Sequence, residues 1–213
     1  MMIYKEIKLG KLRTSTIELK EITKSWLAIA LIFTFLHLGV SAFYSSSLTK
    51  VITPQFWLYF VVALCTVGIG FLLHEMAHKV VAQHYGCEAE FRADNQMLGL
   101  ALVLAILLGF TFIAPGAVMI SGMVTRRENG IISVAGPLTN YVLALLFLGA
   151  GYLFPVISWM CMIGFSINAW LGLFNLIPFF VFDGKKIFDW SVPIWLAMVA
   201  VGVFFLLGIG TLL

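Results

Sequence analysis

Apolar and polar positions along this chain follow two rhythms. Residues 1–25 alternate polar and apolar side chains, the pattern of short strands or of a segment lying on a membrane surface. From Trp26 the apolar positions merge into runs, at 26–44, about 56–84, 131–153, 157–178 and 192–213. At 1.5 Å per helical residue, runs of about 20 residues match a hydrocarbon core about 30 Å thick. The stretch 97–124 is apolar but too short for two such spans. Gly109, Pro115, Gly116 and Gly122 interrupt it. This predicts a helix over 97–113, a turn at Ala114-Pro115-Gly116 and a return as a re-entrant loop or strand. Such backbone survives at membrane depth only where it is buried in protein or lines a wet cavity.

These elements predict an all-α polytopic membrane protein with about six transmembrane helices, a re-entrant loop and short β-strands at the cytoplasmic face. With no internal repeat or flexible linker, residues 1–213 read as one domain. Its catalytic core covers about 56–186, after an N-terminal membrane-surface segment at 1–25 and before a C-terminal helix at 192–213.

Composition strengthens the membrane reading. The chain is 62% hydrophobic and 11% charged, against about 25% charged in soluble domains. A Lys+Arg count of 13 against 10 Asp+Glu is too balanced for a nucleic-acid partner. Cys65, Cys87 and Cys161 lack CxxC spacing and read as apolar fillers. With 97–124 returning to the side it left, the basic residues of 1–25 share one face with Arg92, Arg126, Arg127, Lys185 and Lys186, and Lys50 alone falls opposite. By the positive-inside tendency, the N-terminus is cytoplasmic in a multi-pass protein of the cell membrane.

The chemistry begins at His74-Glu75-Met76-Ala77-His78, an HExxH sequence. On a helix the two histidines lie about 40° apart, so their imidazoles can take two corners of one tetrahedral zinc site. Glu75, about 100° round, reaches water beside the metal as a base. Ionisable groups inside an apolar span are costly there and mark function by default. A third ligand is available in Asp183, beyond Pro178, which breaks the run 157–178 and lets the chain turn inward. Asn140 lies four residues after Gly136 in Gly136-Pro137-Leu138-Thr139-Asn140. Its amide suits either an oxyanion donor or a bond between helices. His37 and His84 read as interfacial or hydrogen-bonded groups.

HEMAH, GPLTN and NLIPFFVFDG, in that order on successive apolar segments, resemble the site-2 proteases, a family of intramembrane zinc metallopeptidases. The resemblance implies that His74, His78 and Asp183 are zinc ligands, one ion per chain, and that Glu75 is the catalytic glutamate. It implies that Asn140 and Asn175 assist near the metal. Residues 114–122 are similar to the family's re-entrant segment, an edge for an extended substrate. The expected reaction is hydrolysis of peptide bonds within or near transmembrane segments of membrane proteins. A metal transporter, or a non-catalytic metal-binding membrane protein, is the alternative use of the same ligands.

Overall fold

A computed structural model describes residues 6–10, 12–43, 49–110 and 116–209. The chain forms two compact units, Met1–Ile69 with Glu90–Met119, and Gly70–Ala89 with Ile120–Leu213.

In the first unit, β1 (Glu6–Leu9) and β2 (Leu12–Ser15) form an antiparallel hairpin in which Glu6 faces Ser15 and Leu9 faces Leu12. Helix α1 (Thr16–Leu38) follows without a break. It starts ten residues before the first apolar run because Ser15 caps it, its hydroxyl accepting from the Glu18 amide at 3.0 Å. Glu18 is fully buried, and its carboxylate accepts from the Thr14 hydroxyl at 2.7 Å and the Phe91 amide at 2.9 Å. A buried carboxylate persists only with such partners. Farther along α1, the Trp26 indole N–H donates to the Leu64 carbonyl at 3.1 Å. That carbonyl lies in a π-helical turn, Leu64–Gly68, inside the long helix α2 (Pro54–His84).

Strand β3 (Glu88–Ala93) pairs with β4 (Gly116–Ser121) in a two-stranded sheet. Gly116 meets residues 91–93 and Gly122 meets Cys87, so the strands run antiparallel. Between them lies α3 (Asn95–Leu108), capped by Asp94 and stopped at Gly109, whose left-handed φ of 70° ends the helix five residues short of the expected residue 113. Ala101 and Ala105 of α3 close over Ile32 of α1. The turn expected at Ala114-Pro115 lies outside the described residues.

In the second unit, α4 (Arg126–Leu153) opens with a reciprocal capping box between Thr125 and Glu128. Helix α5 (Ser158–Phe174) ends one turn before Pro178, and residues 175–182 lead into the short α6 (Asp183–Trp190) and then α7 (Val192–Val203). Tyr141, Ala144, Phe165, Ala169, Ile187 and Met198 belong to one core where these helices meet. The Tyr141 hydroxyl donates to the Met198 carbonyl at 3.1 Å, which satisfies the polar end of a ring packed edge-on to Phe205.

Among the described residues, four helices are long and apolar enough to cross a membrane: Thr16–Leu38, Pro54–His84, Arg126–Leu153 and Pro155–Phe174. About six were expected. The remaining two apolar segments, Asn95–Leu108 and Val192–Gly208, form shorter helices. At 14 residues α3 is about 21 Å long, less than a hydrocarbon core. Of residues 1–25, read as strands or a surface segment, Glu6–Leu9 and Leu12–Ser15 form β1 and β2 while 16–25 begin α1. The part of 97–124 expected to return contains strand β4, paired with β3.

Candidate metal centre

The second unit gathers His74, His78 and Asp183 into one buried cluster. Helix α2 supplies the histidines one turn apart, and Asp183 enters from the first turn of α6. His74 Nε2 lies 3.0 Å from His78 Nε2, and Asp183 Oδ2 lies 3.0 Å from His78 Nε2 and 3.3 Å from His74 Nε2. A tetrahedral zinc with bonds of about 2.0–2.1 Å requires ligand atoms about 3.3 Å apart. The three edges fit that size.

The other ring nitrogens decide what these atoms can be. His78 Nδ1 lies 2.7 Å from the Ile132 carbonyl, which only accepts, so Nδ1 carries the proton. His74 Nδ1 lies 2.6 Å from Asn140 Oδ1. The Asn140 amide donates through Nδ2 to the Gly70 carbonyl at 3.2 Å and to Asn168 Oδ1 at 3.1 Å, so its oxygen faces the imidazole. The two Nε2 atoms are therefore those that present a lone pair whenever their rings are neutral. They point at each other and at a carboxylate, an arrangement that repels itself unless a cation lies among the three. Burial alone would raise the Asp183 carboxyl, but the two imidazoles beside it hold it well below the usual carboxylate range. Once the imidazoles give up their Nε2 protons, two neutral rings and an ionised carboxylate make a zinc donor set.

Backbone shape makes room for this. On α4, Gly136 sits over the pair, and a side-chain carbon there would collide with both Nε2 atoms, well inside van der Waals contact. Gly184, the residue after Asp183, donates its amide to the Asn175 carbonyl at 2.7 Å and lies so close to Leu176 that no side chain fits. This contact ties the start of α6 to the end of α5 and delivers the aspartate. The backbone of Asn175 thus positions Asp183, while its side-chain amide donates to Leu171 of its own helix at 2.9 Å.

Glu75 is buried on the helix of the two histidines, close enough to His78 for an electrostatic interaction. Of the two roles open to Asn140, its hydrogen bonds supply the one between helices: the amide is fully buried, and its N–H groups are directed to Gly70 and Asn168. His37 meets Tyr59 with tilted rings whose centres are 4.2 Å apart, and His84 meets Tyr85, so neither belongs to the cluster. The three cysteines are unpaired, two of them buried, as fillers should be. Asn168 escaped the sequence reading. Its signal was a single amide in the apolar run of α5, a group that needs a partner wherever it is buried.

Known relatives carry the same chemistry in their names. "Putative zinc metalloprotease MJ0611" of Methanocaldococcus jannaschii is 39% identical over 187 residues, which is 86% of this chain and 89% of the relative. The chain belongs to this zinc metalloprotease family. A second family member, "Putative zinc metalloprotease YwhC" of Bacillus subtilis, is 26% identical over 60% of this chain and 68% of its own length. A third, "Zinc metalloprotease MJ0392" of M. jannaschii, is 26% identical over 61% of this chain, a match that spans only 34% of that longer protein. No family model matches the chain, and no solved structure matches it significantly. Family membership agrees with the donor set in naming zinc as the cofactor, with His74, His78 and Asp183 as the group able to hold it.

Proposed function

We propose that this metalloprotease hydrolyses peptide bonds within or beside the transmembrane segments of other membrane proteins, with Glu75 as its general base. The observation that carries the reading is the location of His74, Glu75 and His78, all buried, on a 31-residue helix apolar enough to span a bilayer. Such groups are expensive at that depth and are retained for chemistry. Zinc bound by His74, His78 and Asp183 supplies Lewis acidity, polarising a carbonyl and bringing the pKa of water down to about 7.

The protein's own groups perform the rest. His74 and His78 hold their Nε2 lone pairs inward because Asn140 and Ile132 take the Nδ1 protons. Glu75 accepts a proton from the attacking water and returns it to the departing amide nitrogen. The substrate is a membrane-spanning helix of another protein, and it must unwind before its carbonyl can be attacked. The extended backbone of β4, an outer strand of a two-stranded sheet, suits pairing with such an unwound segment. We assign a multi-pass arrangement in the cell membrane, with the N-terminus and the active-site side cytoplasmic. The basic residues of 1–25 and at 92, 126, 127, 185 and 186 support that orientation. We read α7 as a further crossing, and α3 with β4 as a re-entrant excursion.

The test uses the purified full chain in lipid vesicles with a panel of model transmembrane peptides, zinc analysis and a cleavage readout. The wild type is expected to cut, Glu75→Gln to keep zinc and lose cleavage, and Asp183→Ala to lose zinc. Cleavage by Glu75→Gln at the wild-type rate overturns the assignment of the base. Zinc passing into the vesicles while every peptide stays intact replaces hydrolysis with transport.

A further inference from the structure

A line of fully buried amides runs from the core of α5 to the metal centre. Asn168 Nδ2 donates to the Gly164 carbonyl at 2.9 Å. Asn168 Oδ1 accepts from Asn140 Nδ2 at 3.1 Å, and Asn140 Oδ1 faces His74 Nδ1 at 2.6 Å. Both asparagines have no solvent exposure. Each amide is oriented by a backbone carbonyl, Gly164 for Asn168 and Gly70 for Asn140, and a carbonyl accepts only. Gly70 leaves the space that Asn168 occupies, since a side-chain carbon there would collide with its amide oxygen.

From this chain we infer that Asn168 is a positioning residue for the zinc site, acting through Asn140 to keep the proton of His74 on Nδ1 and its Nε2 free for metal. The physical reason is direction. An amide can be turned over at little steric cost, because its O and N ends are nearly the same size. A turned Asn140 would present an N–H to His74, force the proton onto Nε2 and remove one ligand. Gly70 alone resists that turn with one hydrogen bond, and Asn168 adds a second from another helix. Hydrogen bonds behind metal-ligating histidines are worth about 10–100-fold in metal affinity. The inference rests on the zinc reading of His74, His78 and Asp183.

The test measures zinc affinity by chelator competition and the visible spectrum of the cobalt(II)-substituted full-length protein. Asn168→Ser keeps a hydroxyl able to bond the Gly164 carbonyl, four residues back on the same helix, but is too short to reach Asn140. It is expected to weaken zinc binding about 10–100-fold and to alter the cobalt bands. Asn168→Leu, which fills the space without any polar atom, is expected to do the same. Asn168→Asp restores affinity to near wild type, because a buried carboxylic acid stays protonated and reproduces the donor and acceptor of the amide. In an Asn140→Leu background, Asn168→Ser has no further effect on zinc affinity, a coupling that general loosening of the helix does not produce. Wild-type zinc affinity and cobalt spectrum in both Asn168→Ser and Asn168→Leu overturn the inference and leave the zinc site standing. A wild type that binds no zinc, or an Asp183→Ala variant that binds it equally well, removes the site and the inference together.

Discussion

Replacing Gly136 by alanine is the most demanding test of the metal centre, because its two effects have opposite signs. Alanine is favoured over glycine in a helix interior by about 1 kcal/mol, so α4 itself should gain. The new methyl carbon, however, would stand 2.6 Å from Cε1 of His74 and nearer still to His78 Nε2, where carbon contacts normally lie at about 3.5–4.0 Å. The imidazoles must retreat by about 1 Å, whereas metal bonds tolerate about 0.2 Å. A loss of about 100-fold in zinc affinity, or about 2.8 kcal/mol, is the expected result. Chelator competition measures the affinity, and thermal unfolding of the zinc-free protein in detergent reports on the fold. In the metal-free protein the helix gain of about 1 kcal/mol is set against an overpacking cost of about 1–3 kcal/mol. Stability should therefore be unchanged or lower by up to about 2 kcal/mol while zinc binding falls. Zinc affinity within threefold of wild type would refute the claim that Gly136 makes room for the ligands.

Stripping zinc with a chelator is expected to lower the unfolding temperature, and adding it back to raise the temperature in proportion to the logarithm of free zinc. Asp183→Ala should abolish that dependence, and a response surviving in the variant would place the metal elsewhere. Glu18→Ala leaves the Phe91 amide and the Thr14 hydroxyl without their acceptor and should cost about 1–3 kcal/mol in detergent unfolding. Glu18→Gln keeps an oxygen for Phe91 and should cost less than half as much; equal losses would contradict the hydrogen-bond account. Phe180, with φ 56° and its ring exposed, occupies a conformation that suits glycine. Phe180→Gly should therefore unfold no more easily than wild type, whereas Phe180→Val should lose about 1–2 kcal/mol.

The long helices were legible because lipid demands uninterrupted apolar runs, and their centres appear where those runs lie. Their ends depend on single residues. The start of α1 is set by Ser15 and Glu18, a capping pattern concealed within an alternating segment, and the end of α3 by Gly109. His74, His78 and Asp183 were legible as chemistry because charged or ligating groups are conspicuous in an apolar chain. Asn168 was not, since one amide among hydrophobic neighbours does not announce its partner. Only the packing of α5 against α4 shows that it stands behind Asn140 and, through it, behind His74. The roles of Gly136 and Gly184 required the same kind of knowledge, because a missing side chain has meaning only once its neighbours are located.

The two kinds of ligand enter the cluster from points 105 residues apart in the chain. A ribosome releases the histidine pair long before the aspartate exists, and two imidazoles alone grip an ion weakly. The growing chain therefore lacks the full donor set until Asp183 has been made. The three ligands meet only when Gly184 docks against the end of α5, so assembly of the donor set and packing of α6 on α5 are one event.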